Sequence, residues 1–149
     1  MIVTGQIRVE APPSAAFDLF TAGIGGWWPL DHFSYGGSRA QTIVLEGRPG
    51  GRFYELFDDG DELEVGTVLA CEPPDLIVFT WWAPGWPAAT EVEVTFTGEG
   101  AGTRVNVEHR AFERLGPEGQ AIADGFAGGW PGVLGAFAAA ASDHRGAGS

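Results

Sequence analysis

Few side chains in this sequence could do chemistry, and they are scattered. Glu55 lies between Tyr54 and Leu56. Turned inward, its carboxyl would lose water, its pKa would rise, and it would suit a general base. The parity of 52–57 stays open, because Phe53 and Phe57 share the phase of Glu55 while Tyr54 and Leu56 share the other. Turned outward, Glu55 is an ordinary surface carboxylate. His109 falls in line with Val105 and Val107 on the inward phase of an alternating strand. A polar ring there needs a partner, so it is either a core histidine bonded to a neighbour or a polar anchor for a ligand. His32, beside Asp31 and just after an aromatic segment, is a candidate ligand contact. Glu55 and His109 are thus the weak catalytic candidates.

Other chemistries find no pattern. Three scattered histidines and one cysteine give no metal-ligand spacing, so neither a metal nor a cofactor is expected. Cys71 has no histidine near it in sequence and reads as an inert buried thiol. No Gly-x-Ser-x-Gly occurs, and the glycine-rich stretches 47–51 and 98–102 lack the Lys-Ser/Thr and the opening helix of a phosphate loop. They read as turns. Asp58, Asp59, Asp61 and Glu62 cluster at a hairpin and read as a solvated turn rather than a calcium loop. His144, near the end of the chain, carries no reading.

The stronger signal is aromatic. Six tryptophans in 149 residues are more ring surface than a small core needs, and pocket walls favour flat rings with one polar handle. The rings either fill the space between sheet and helix or wall a cavity. On the second reading the ligand-binding set is Trp28, His32, Phe53, Trp81, Val94, His109, Phe126 and Trp130. Trp86, in a Pro/Gly loop, either anchors that loop or sits at a pocket mouth.

The elements that must position these residues follow from periodicity. Ile7 and Val9 alternate with Arg8 and Glu10 in a first strand. Pro13 then opens a short helix through Phe17 and Phe20, stopped at Gly23. Strands separated by turn signals follow at 41–46, 52–57, 62–71, 76–82 and 90–97, with a last one through His109, the pattern of an antiparallel meander. In 62–71 the residues Leu63, Val65, Thr67 and Leu69 are expected on one face. The stretch 76–82 is apolar on both faces, which suits a covered central strand. Pro117 opens the final helix, whose stripe runs through Ile122, Phe126, Trp130, Val133, Leu134, Phe137 and Ala141. Gly128, Gly129 and Pro131 predict a kink or a close approach near Trp130.

Composition bounds the function. The net charge is -12 and all eight basic residues are single arginines, so there is no basic footprint for nucleic acid or for an anionic membrane surface. No apolar run reaches the ~20 residues of a membrane span, and the residues ahead of the first strand carry no signal-peptide pattern, so none is expected. The expectation is one soluble domain over 1–149 in a reducing cytoplasm, with a flexible tail at 143–149 and no membrane association.

The order of motifs is familiar. Gly26-Trp27-Trp28-Pro29, the stretch 44–55 with its Arg48-Pro49-Gly50-Gly51 turn, the stretch 66–74 ending in Pro73-Pro74, Thr80-Trp81-Trp82, the strand 90–96 and Gly129-Trp130-Pro131-Gly132 together resemble one family. It comprises bacterial proteins similar to the C-terminal domain of the activator of heat-shock protein 90 ATPase. That family belongs to the START-like (SRPBCC, helix-grip) superfamily, beside pollen-allergen-type and polyketide cyclase-type proteins. The resemblance implies an α+β fold: a curved antiparallel sheet of about seven strands wrapped around a long C-terminal helix, with two short helices after the first strand. It also implies a cavity between sheet and helix that takes an apolar or amphipathic ligand.

Three functions follow as expectations. The first is a non-enzymatic binder of a small apolar or aromatic molecule. The second is a cofactor-free enzyme of the cyclase or hydrolase type, using Glu55 or His109 as base. The third is a chaperone-associated module with a protein partner. Monomer and homodimer stay equally open.

Overall fold

The computed structural model describes residues 2–147, with side chains through residue 142. The tail expected at 143–149, and His144 with it, falls on side chains outside that range. Seven strands, β1 (Val3–Val9), β2 (Ala40–Leu45), β3 (Arg52–Phe57), β4 (Glu62–Glu72), β5 (Leu76–Trp81), β6 (Thr90–Glu99) and β7 (Gly102–Arg110), form one sheet in the order β1-β7-β6-β5-β4-β3-β2. Every neighbouring pair is antiparallel. A short helix α1 (Pro13–Phe20) and a 3-10 turn (Ile24–Gly26) follow β1, and a long helix α2 (Gly119–Ala147) closes the chain. This is the helix-grip architecture, a curled sheet around one helix. Among the described residues no helix is long and apolar enough to cross a membrane.

Alternation places the core. Val92, Val94 and Phe96 of β6 and Val105, Val107 and His109 of β7 all point inward and are buried. On the other face Arg110 pairs with Glu91, Glu93 and Glu108. Such partly exposed pairs contribute at most ~1 kcal/mol each. Burial of the apolar face therefore fixes the register, because a one-residue slip would turn every one of these side chains outward.

Strand β4 departs from its expected alternation. Val65 and Val68 are both buried, whereas Leu69 is 51% exposed. Two bulges explain it: Tyr54 pairs with Glu64 and Phe53 with Gly66, skipping Val65, and Val68 pairs with Phe79 and Ala70 with Val78, skipping Leu69. Each extra residue reverses the phase and bends the strand. At the first bulge the N–H of Trp82 donates to the Val65 carbonyl at 2.7 Å and that of Thr67 to Thr80 Oγ1 at 2.8 Å. A Cβ on Gly66 would overlap the Thr80 carbonyl oxygen, so only glycine lets the strands close there.

The helix differs from expectation at its start. Pro117 lies in a 3-10 segment (Phe112–Glu118), interrupted by Gly116 at φ 75°, and α2 begins at Gly119. Beyond that, α2 is continuous through Gly128, Gly129 and Pro131. Its stripe of Trp130, Val133, Leu134, Phe137 and Ala141 is buried, with Ile122 and Phe126 half-buried. Close approach comes partly from the sheet side: a Cβ on Gly5 of β1 would stand 3.1 Å from Leu134 Cδ1. On α2 itself, a Cβ on Gly129 would stand 3.2 Å from the Phe33 ring.

Gly66→Ala is expected to cost about 3 kcal/mol, the upper range for overpacking a well-packed site. The check is the urea midpoint, set against Gly135→Ala on the exposed side of α2, where a Cβ meets nothing within 4 Å, as a control that leaves stability level or higher.

Candidate functional site

Between the middle of α2 and the loop after Trp28 lies a cleft of about 250 Å³. Trp28, Trp81, Trp130 and Val133 form its buried floor. Phe33, Ile122 and Phe126 form half-buried walls, and His32 and Tyr35 are exposed at its mouth. Ser34, Gly125 and Gly129 complete the lining. The floor tryptophans are in ring contact: Trp81 lies 6.1 Å from both Trp28 and Trp130, and 5.2 Å from Phe126.

Each floor indole donates its N–H within the protein. Trp28 Nε1 donates to the Phe33 carbonyl at 2.8 Å, Trp81 Nε1 to the Tyr35 hydroxyl at 2.7 Å, and Trp130 Nε1 to His109 Nδ1 at 3.2 Å. An indole has one donor and no acceptor, so these rings offer the cleft only their faces.

His109 lies behind the floor, 0% exposed, with its ring 4.5 Å from both Phe112 and Phe126. Its neighbours fix its tautomer. Nδ1 faces the Trp130 N–H and must accept; Nε2, 2.7 Å from Thr90 Oγ1, therefore carries the proton and donates it. The Thr90 hydroxyl passes its own proton to the Trp81 carbonyl at 2.9 Å. Burial pushes the His109 pKa down to about 3. A neutral imidazole thus bolts α2 to β5, β6 and β7.

Glu55 is 1% exposed and faces inward with Phe53 and Phe57, which settles the parity. Its carboxylate does not reach the cleft. Oε2 accepts the Tyr35 N–H at 2.7 Å and Oε1 the Gly36 N–H at 2.9 Å. Gly36 packs so tightly on the Phe57 ring that a Cβ would overlap it. Glu55 therefore shapes the loop that carries Tyr35. The Tyr35 phenol is held above its ordinary pKa by burial, which outweighs the opposing effect of the Trp81 hydrogen bond, with a lesser contribution from the Glu55 charge.

Of the ligand set expected from sequence, Trp28, His32, Trp81, Phe126 and Trp130 line the cleft. Phe53, Val94 and His109 are fully buried and do not line it. Phe53 stacks edge-on against Trp81 at 5.2 Å. Sequence reasoning left out Phe33, Ser34, Tyr35, Ile122 and Val133. Ile122 and Val133 stood in its helical stripe, whereas Phe33, Ser34 and Tyr35 come from a loop without periodicity. Trp86 packs its ring on Phe126 at 6.0 Å, and its carbonyl accepts the indole Nε1–H of Trp82, so it anchors the loop beside the cleft. The acidic turn closes on itself, with Asp59 bonded to Arg39 and to the N–H of Asp61. Cys71 is half-buried rather than buried as expected, and burial raises the pKa of its thiol, which disfavours the reactive thiolate.

The depressed pKa of His109 makes stability acid-sensitive. The unfolded imidazole, with its ordinary value of 6.5, takes up a proton first. The stabilisation is complete above about 6.5 and is lost progressively as pH falls towards about 3. One such group removes about 2 kcal/mol between about pH 7 and about pH 5. His109→Gln, whose amide keeps one acceptor and one donor without titrating, is expected to lose most of that slope in urea unfolding across the interval.

A family model described as Activator of Hsp90 ATPase homolog 1-like protein matches residues 10–142. None of the curated proteins matches at a significant level. Among solved structures, CalC from Micromonospora echinospora, described as a self-sacrificing resistance protein, is 29% identical. The likeness covers 96% of this chain and 95% of that one, with a TM-score of 0.71. Txn09, described as an anthrahydroquino-gamma-pyrone synthase complexed with SUM, is 33% identical, covering 92% and 94% of the two chains with a TM-score of 0.63. The Aha1 dimer from Colwellia psychrerythraea, at 16% identity, 93% coverage of both chains and a TM-score of 0.67, shares the fold. The helix-grip sheet, the long helix and a match over nearly the whole chain make this protein a member of the Activator of Hsp90 ATPase homolog 1-like family.

Proposed function

We propose that this protein binds a small apolar or amphipathic aromatic molecule in the cleft between α2 and the sheet, and does so without chemistry of its own. The observation that carries this reading is the cleft's lining: ring faces and aliphatic groups, with His32, Ser34 and Tyr35 as its polar side chains among the described residues. Apolar walls with a few placed polar groups are the usual build of a small-molecule site. Catalysis is the weaker reading because both groups expected to act as base are engaged elsewhere. His109 uses both ring nitrogens inside the core, and Glu55 uses both oxygens on backbone N–H groups.

A second reading draws on the 33% identity to a synthase. A cofactor-free, ring-forming enzyme built on this cleft would have His32 and Tyr35 as its titratable groups. Substrate turnover by the protein, lost in His32→Ala or Tyr35→Phe while binding persists, would put this reading in place of the first.

The binding reading is tested by native mass spectrometry of protein taken directly from its host, and by tryptophan fluorescence and thermal melts against a panel of flat aromatic compounds. A retained ligand, or quenching together with a raised melting temperature, is expected. No retained mass and no response across the panel would falsify it. A plug variant adds a second check. Gly125 lines the cleft, and a Cβ there meets nothing within 4 Å. Gly125→Phe is therefore expected to fold at least as stably, since a helical glycine costs about 1 kcal/mol, and to weaken binding at least tenfold by occupying the space.

A further inference from the structure

The cleft's hydrogen bonds point to one particular ligand chemistry. The Tyr35 hydroxyl oxygen already accepts the Trp81 N–H at 2.7 Å, and among the described residues no acceptor takes the phenolic proton. Donation from an indole polarises the phenol and makes that remaining proton a better donor. Glu55 holds the loop so that this group stands over Trp81, through the N–H groups of Tyr35 and Gly36. Tyr35 is 41% exposed as a residue, yet its hydroxyl end is tied to a floor ring that is itself buried. His32 is exposed and Ser34 half-buried, and no hydrogen bond ties either side chain to the floor. The indole N–H groups of Trp28, Trp81 and Trp130 are all engaged by the protein. No arginine and no carboxylate lines the cleft among the described residues and His32 stands at its exposed mouth, so a charge carried to the tryptophan floor would be desolvated there without a partner.

We propose that Tyr35 selects the ligand: its O–H donates to a carbonyl-type oxygen on an uncharged, planar molecule of a few fused rings that lies against the faces of Trp81, Trp130 and Phe126. This inference rests on the binding reading given above. The size is in keeping with it: about 250 Å³ lies just under the ~300–1,000 Å³ of sites for drug-sized ligands.

The test uses 9-fluorenone and fluorene, which share ring size and planarity and differ in the carbonyl. Affinities are read by quenching of tryptophan fluorescence in the wild-type chain, in Trp81→Phe and in Trp81→Phe paired with Tyr35→Phe. The wild type is expected to bind fluorenone about fivefold to tenfold more tightly than fluorene, the range of one neutral hydrogen bond. Because loss of the Tyr35 hydroxyl frees the Trp81 N–H to donate to the same carbonyl, Tyr35→Phe is made together with Trp81→Phe and compared with Trp81→Phe alone; the pair is expected to bring that ratio close to one, and its residual fluorene binding reports an open cleft. A preference in the paired variant equal to that of Trp81→Phe alone overturns the assignment of Tyr35 and leaves the binding reading standing. Absence of binding by both compounds, together with the silent panel and empty mass spectrum described above, removes the binding reading itself. A measurement free of any variant is the infrared carbonyl band of fluorenone bound to the wild type. It is expected to shift to lower frequency than in a hydrocarbon solvent, and an unshifted band overturns the proposal even where the paired variant fails to fold.

Discussion

The neutral imidazole of His109 is the joint on which this structure depends. It accepts from Trp130 on α2 and donates to Thr90 on β6, and Thr90 in turn holds the backbone of Trp81 on β5. A long helix lying on a curled sheet could slide along its own apolar stripe with little change in buried area. A directional hydrogen bond through a buried ring removes that freedom. It can do so only while the imidazole is uncharged, because a proton on Nδ1 would face the Trp130 N–H donor to donor. Burial keeps the ring neutral, and the neutral ring keeps helix and sheet in register.

Glu55 plays the same part for the loop over the cleft. A carboxylate this deeply buried is costly unless its charge is met, and here two backbone N–H groups meet it. Those donors belong to a segment with no sheet ladder of its own, so the charge supplies the missing acceptors. The dependence therefore runs from core to cleft: β3 presents Glu55, Glu55 holds the loop around Tyr35, and Tyr35 receives the Trp81 N–H. Two residues that look like acid-base groups in the sequence turn out to be the fasteners of an apolar site.

How much of this was legible in the sequence differs by element. Strands β6 and β7 were readable because Val92, Val94, Phe96, Val105 and Val107 alternate without a break, and His109 shares their phase. Strand β4 was misread because its two bulges reverse the phase twice, and the requirement behind one of them, the carbonyl of Thr80 against Gly66, lies on another strand. The parity of β3 was undecidable because both of its faces are apolar; only the loop that bonds Glu55 breaks the tie. Pro117 promised a helix start and sits instead in the 3-10 segment before it, since Gly116 at φ 75° interrupts the helical path. The cleft was legible as a concentration of rings. Which rings face it was not, because that depends on the depth to which each strand is covered. Phe53 and Val94 lie one layer too deep, while Tyr35 comes from a loop without periodicity.

The tryptophans also have an optical consequence. Trp27, Trp28, Trp81 and Trp130 form an unbroken file, with ring centroids 5.8, 6.1 and 6.1 Å apart. Transition dipoles this close, held at fixed tilts in a rigid surround, interact as coupled oscillators. Light absorbed by one indole is shared among the others before it is emitted, and the aromatic circular dichroism belongs to the array more than to any member. A quencher laid against one ring of the file darkens several, so the wall of the cleft is also its own antenna.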